Sequence, residues 1–192
     1  PSKSAFALRY SDAGFDPVAA DFAPSKDALT AYGAKTTSAT VARVPGPKGN
    51  VLVVGSNGLS LRDFGAVVRR EALTDVCLVA AVETEAQLLQ LLEGLLLGGK
   101  TPTRFKKATL DPVSFEVVVP ANLVTTDFSR TEKIAGQIIA IRELINLPAN
   151  ELWPDKLAQE AKSLANGLPI DVEVWDENRL EAERCGGILS VG

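Results

Sequence analysis

Histidine is absent from the 192 residues. That excludes a histidine-containing catalytic triad, a histidine zinc site and a histidine general base. Carboxylates, Lys, Tyr and Cys remain as catalytic candidates. Cysteine is nearly as scarce: Cys77 and Cys185 are too few for a disulfide framework. Cys77 lies in an apolar run and reads as a small core residue, which fits a reducing, cytoplasmic setting. No apolar run reaches the roughly 18–20 residues of a membrane span. The longest apolar helix candidate, residues 88–97, is interrupted by Gln90, Glu93 and Gly94. The opening Pro1-Ser2-Lys3-Ser4 has no secretory pattern. An excess of one charge is also missing. The formal net charge is −4; residues 1–128 hold 13 Lys+Arg and 13 Asp+Glu, whereas residues 129–192 hold 7 and 11. Neither part has the positive excess expected of a nucleic-acid partner.

What is present is core material, with hydrophobic residues at 46%. The chain is long enough for one full domain, or one domain plus part of another. Residues 5–10 read as a first strand. Residues 11–50 are rich in Ala, Gly, Pro, Asp and Ser, and imply connections with one or two short strands, such as residues 39–44. Val51-Leu52-Val53-Val54, bounded by Gly55 and Asn57-Gly58, reads as a buried strand. A helix follows from Ser60 to about Leu73, with Leu61, Phe64, Val68 and Ala72 at helical spacing. Residues 76–81 form another buried strand. Thr84 and Gln87 make a capping-box pattern for a helix with Leu88, Leu92, Leu95 and Leu96 on one face. Residues 115–119 are a strand ended by Pro120. This alternation predicts an α/β domain, with helices packed on a mixed, largely parallel sheet.

After Asp127 the pattern changes. Ser129-Arg130-Thr131-Glu132 reads as a second capping box, and Ile134, Ile138, Ile141 and Ile145 give one face of a long helix. Pro148 ends it, and Pro154 suits the first turn of the next helix, with Leu157, Ala161, Leu164 and Leu168 as its apolar stripe. Residues 170–175 alternate like a half-exposed strand, Asp176 caps a short helix to about Arg184, and residues 186–191 look like the start of another strand. The expected organisation is an amino-terminal α/β domain over residues 1–128. A linker helix and the first part of an incomplete α/β domain follow over residues 129–192.

Four features invite a site. Gly55-Ser56-Asn57-Gly58-Leu59-Ser60 joins a buried strand to a helix, where phosphate loops sit, but it matches neither specific fingerprint and reads as a tight turn. Asn146 and Asn150 could contact a ligand; more simply, they satisfy backbone groups in a Pro turn. Lys100-Thr101-Pro102-Thr103-Arg104-Phe105-Lys106-Lys107 is basic with one aromatic, and could touch nucleic acid; a solvated loop is the plainer reading. Glu173, Asp176, Glu177, Glu181 and Glu183 could suggest a metal, and read as an exposed acidic face.

The run Arg142-Glu143-Leu144-Ile145-Asn146-Leu147-Pro148-Ala149-Asn150, followed by Trp153-Pro154, resembles the junction between the amino-terminal and catalytic domains of the leucyl aminopeptidase family. Leu157-Ala158 with Ala161, then Val172-Glu173-Val174, Gly186-Gly187-Ile188-Leu189 and Val191-Gly192, follow the family order. Glu93-Gly94 with Leu97, Phe105-Lys106-Lys107, and the strand from Val51 to Gly55 are weaker matches upstream. Trp153 stands where the family usually has a Ser or Thr cap, Gly98-Gly99-Lys100 where a Tyr is usual, and Ser56-Asn57 where a Gly-rich turn is common.

The resemblance implies a cytosolic metallo-aminopeptidase as parent. It would remove amino-terminal residues, often Leu, from peptides by metal-assisted hydrolysis with two divalent ions, zinc or manganese. It also implies a homo-hexamer, a carboxy-terminal catalytic portion as partner, and no membrane. The family's metal ligands, a Lys with several Asp and a Glu, and its catalytic Arg have no matching positions here. No catalytic, cofactor-binding or metal residue is therefore assigned in this chain, which alone is expected to be inactive. The competing class is a stand-alone α/β module that binds a nucleotide or nucleic acid.

Overall fold

Val51-Leu52-Val53-Val54 is apolar on both sides because it lies in the middle of a sheet with two covered faces. The computed structural model describes residues 5–73, 75–99 and 113–191. Its strands are β1 (Ala5–Ser11), β2 (Gly14–Phe15), β3 (Val41–Gly46), β4 (Gly49–Gly55), β5 (Val76–Val79) and β6 (Phe115–Val117). They form one sheet in the order β3-β4-β1-β5-β6, with β2 paired to β1. β1 runs parallel to β4 and β5, and β5 parallel to β6; β3–β4 and β1–β2 are antiparallel. The expected mixed, largely parallel sheet is thus present. Pro45, opposite Asn50, is tolerated because β3 is an edge strand.

Alternate residues feed two cores. Ala7, Leu52, Val54, Val76 and Leu78 face α2 (Leu61–Glu71) and α3 (Glu85–Leu97), and pack with Phe64, Val68, Leu88 and Leu91. Leu8, Val51, Val53 and Val79 face the other way, onto Ala19 and Leu29. Those two come from a 3₁₀ turn at Pro17–Phe22 and from α1 (Lys26–Ala31), elements without a clear apolar period in the sequence. Phe64 and Leu91 are fully buried, each contributing about 1.5–3 kcal/mol.

α2 and α3 approach closely because glycines line their seam. A Cβ on Gly65 would come 2.5 Å from the Leu91 carbonyl oxygen, one on Gly94 would overlap the Arg62 carbonyl, and one on Gly98 would strike Ala66. Ser60 caps α2 by accepting from the Asp63 N–H at 3.0 Å. The Thr84–Gln87 capping box of α3 forms in both directions.

α4 (Ser129–Ile145) departs from expectation. Ser129 is its first helical residue: the Phe128 carbonyl accepts from the Glu132 N–H at 3.0 Å and Asp127 Oδ1 from the Ser129 N–H at 2.9 Å, so Ser129 is not the capping residue of the expected Ser129–Glu132 box. The buried residue of this helix is Ala135, while Ile134, Ile141 and Ile145 are exposed. The helix docks through a narrow side, and most of the Ile stripe does not face the sheet domain.

The chain divides into two compact units, Pro1–Arg142 and Glu143–Gly192. The second holds α5 (Pro154–Ala165), α6 (Glu177–Ala182) and α7 (Gly186–Leu189). Two strand expectations fail here. Residues 170–175 pair with no strand, and residues 186–189 are helical. The alternating pattern of Ile170, Val172 and Val174 lacks neighbouring backbone to bond with, and an unpaired segment has no ladder to stabilise it.

Candidate functional site

The strand-to-helix turn after β4 sits at the carboxyl end of the parallel strands, the usual ligand edge of an α/β sheet. Several of its polar groups are already engaged. The Ser56 N–H donates to the Tyr10 carbonyl at 2.8 Å and the Asn57 N–H to the Thr36 carbonyl at 3.1 Å. Leu59 N–H returns to the Ser56 carbonyl at 3.0 Å, and Gly58 takes a φ of 70° that favours glycine. Asn57 Oδ1 accepts from the Asp12 N–H at 3.1 Å. Hydrogen bonds from Thr36 and Asn57 hold the Asp12 carboxyl below its ordinary pKa. Arg9 Nη2 donates to the Leu59 carbonyl at 2.9 Å, and its Nε lies buried with no hydrogen-bond partner among the described residues. Ser60 already caps the helix. These internal bonds support the reading of a tight turn. Cys77 behaves as a core residue: burial, with Glu116 nearby, pushes its thiol pKa up and away from nucleophilic use.

Asn146 and Asn150 are both exposed. The turn between α4 and α5 closes instead on backbone bonds, Leu147 to Leu144 and both Glu151 and Leu152 to Pro148. Trp153 does precede α5 without a side-chain cap, and Pro154 opens the helix.

The acidic residues do not converge. Arg179 takes Glu173 at 3.4 Å and Glu183 at 3.6 Å, and its guanidinium lies 4.8 Å from the centre of the Trp175 ring. Asp176 caps α6 by accepting from the Arg179 N–H at 2.9 Å. Among the described residues no three Cys, Asp or Glu side chains are placed to hold a metal ion. The basic cluster, residues 100–107, lies outside the described residues, and with it Phe105-Lys106-Lys107. Among the described residues no helix is long and apolar enough to cross a membrane.

One recess with apolar walls in the second unit is a groove of about 530 Å³ between α5, α6 and α7. Ala158, Val174, Trp175, Leu180 and Ile188 line it. It belongs to a wider apolar surface: no described residue of Glu143–Gly192 is buried, and Leu157, Leu164, Leu168 and Ile170 are about half exposed. A unit with apolar stripes and no buried residue among those described presents an extended packing surface. Sequence reasoning gave no role to Gly94, Gly98 or Arg142 individually. The signal for the glycines was their four-residue spacing on one helix face.

The family model described as cytosol aminopeptidase family, catalytic domain, matches residues 139–192. A probable cytosol aminopeptidase of Leifsonia xyli subsp. xyli is 34% identical over 177 residues, 85% of this chain and 36% of that relative. The chain thus spans little more than a third of that relative's length. Among solved structures, a tomato leucine aminopeptidase variant has a TM-score of 0.67 at 19% identity, covering 96% of this chain and 44% of the tomato chain. The bottromycin maturation enzyme BotP in complex with Mn has a TM-score of 0.66 at 19% identity, covering 100% of this chain and 42% of that one. At such identities these structures share the fold.

Proposed function

We propose, for a chain that belongs to the leucyl (cytosol) aminopeptidase family, that it is the amino-terminal portion of a metal-dependent peptidase whose catalytic centre lies outside these residues. The parent hydrolyses amino-terminal residues, often Leu, from peptides. Two divalent ions, zinc or manganese, supply the Lewis-acid chemistry and are held by another portion of the parent. No step of that chemistry is assigned to the present side chains. The observation that carries the reading is the catalytic-domain match confined to residues 139–192, in a chain spanning 36% of its relative.

In this reading residues 1–128 are the amino-terminal domain, and residues 129–192 are a linker helix and the first part of the catalytic domain. The site list for the chain itself is empty. Its roles are scaffolding, subunit contacts and control of access, within a cytoplasmic homo-hexamer. The competing nucleotide- or nucleic-acid-binding module is not favoured, since the curated relatives that the chain matches are named probable cytosol aminopeptidases.

The test is hydrolysis of Leu-p-nitroanilide with added manganese or zinc. The 192-residue chain is expected to give none, and the same chain with its carboxy-terminal remainder to turn over substrate. Turnover that copurifies with the 192-residue species, or none from the complete protein, overturns the proposal.

A further inference from the structure

α3 ends without a cation of its own. Its last turn contains no basic residue, although its final carbonyls carry the negative end of the helix dipole and lack intrahelical donors. Arg142, the basic residue in the last turn of α4, fills that position from a different helix. Its Nη1 donates to the Leu97 carbonyl at 2.9 Å in a partly buried bond spanning 45 residues of sequence. The rest of the α4 attachment is only partly buried, through Ile138, Ile139 and Ala140 beside Ala135. Ala135 is the buried residue of the helix, and it lies two turns before Arg142 on the same side. Ile134, Ile141 and Ile145, which would give a stronger apolar grip, are 44%, 53% and 74% exposed. The first compact unit ends at Arg142, and the catalytic-domain match begins within α4 at residue 139.

We propose that Arg142 is an interhelical latch: it completes the carboxyl end of α3, holds α4 against it, and so fixes where the chain leaves the Pro1–Arg142 unit. A charge-assisted bond to a helix-terminal carbonyl is stronger than a neutral one, and it adds to the burial of Ala135 and the partial burial of Ile138 and Ile139. Arg142 is a positioning residue, and the inference stands whether or not the peptidase reading is correct.

Hydrogen exchange on the 192-residue chain tests it. In Arg142→Leu, exchange along α4 and the last turn of α3 is expected to rise roughly tenfold to a hundredfold, with β1, β4 and β5 unchanged. Arg142→Lys keeps a cation at the α3 terminus and should show a smaller rise. If Arg142→Leu does not fold, Arg142→Gln is compared with Arg142→Lys in the same way. The proposal is overturned by wild-type exchange of α4 in the neutral variant. It is equally overturned by a uniform rise that includes the strands, or by a lysine variant that exchanges like the neutral one.

Discussion

Gly94 and Gly136 are both helix-interior glycines, and their surroundings give them opposite values. Propensity alone charges each about 1 kcal/mol relative to alanine. Nothing lies within 4 Å of a Cβ built on Gly136, so Gly136→Ala should stabilise the protein by about 0.5–1 kcal/mol. On Gly94 the same Cβ overlaps the Arg62 carbonyl of α2. Separating two packed helices costs more than propensity returns, and Gly94→Ala should destabilise by about 1–3 kcal/mol. Denaturant midpoints of the two variants check this; a stabilising Gly94→Ala would mean that the helices are not closely packed. The sequence shows both glycines alike, because the backbone that gives Gly94 its value comes from another helix.

At the scale of the element, helix starts were legible where both partners of the cap lie within a few residues. Thr84 and Gln87 form the box their spacing implies. For α4 the spacing of Ser129 and Glu132 places the start to within a residue, but Asp127 rather than a Ser129–Glu132 box takes the first N–H. That bond, from the Ser129 backbone N–H, is the main cause holding the Asp127 carboxyl below its ordinary pKa. A depressed carboxyl pKa means stability that is present above the unfolded value of 3.8 and lost as pH falls through the folded value. The α4 amino terminus should therefore lose exchange protection as acid is added below about pH 4. Asp127→Asn keeps an acceptor without the titrating charge, so its protection should change less over that range. Identical acid profiles for the two proteins would show that Asp127 does not anchor the helix.

For the whole molecule, the contrast is between a unit with two cores and a unit with none. The sheet of β1–β6 is covered on both faces by the two cores, whereas from Glu143 onward no described residue is buried. Val172, Val174, Ile188 and the Leu157–Leu164 side of α5 need a surface from elsewhere. Hydrogen exchange should find residues 172–175 and 188–191 weakly protected in the 192-residue chain, and much more protected once the carboxy-terminal remainder is added. Strong, equal protection in both samples would show that this unit is already complete, and would count against a divided catalytic domain.

The first unit's fold could be read from the chain because its signals are local: apolar runs for β1, β4 and β5, helical spacing in α2 and α3, and turn residues between them. Family membership was legible at the Arg142–Pro154 junction for the same reason, a dense run of matching positions. Short-range pattern could not reveal which face of α4 docks, because Ile134, Ile138, Ile141 and Ile145 outnumber Ala135 and still lie mostly outside. Nor could it show that Gly94 admits α2, that Arg142 completes α3, or that the alternation at residues 170–175 finds no strand to pair with. Each of those depends on atoms brought together from distant sequence, and an apolar stripe or a β pattern becomes buried structure only where a complementary surface is within reach.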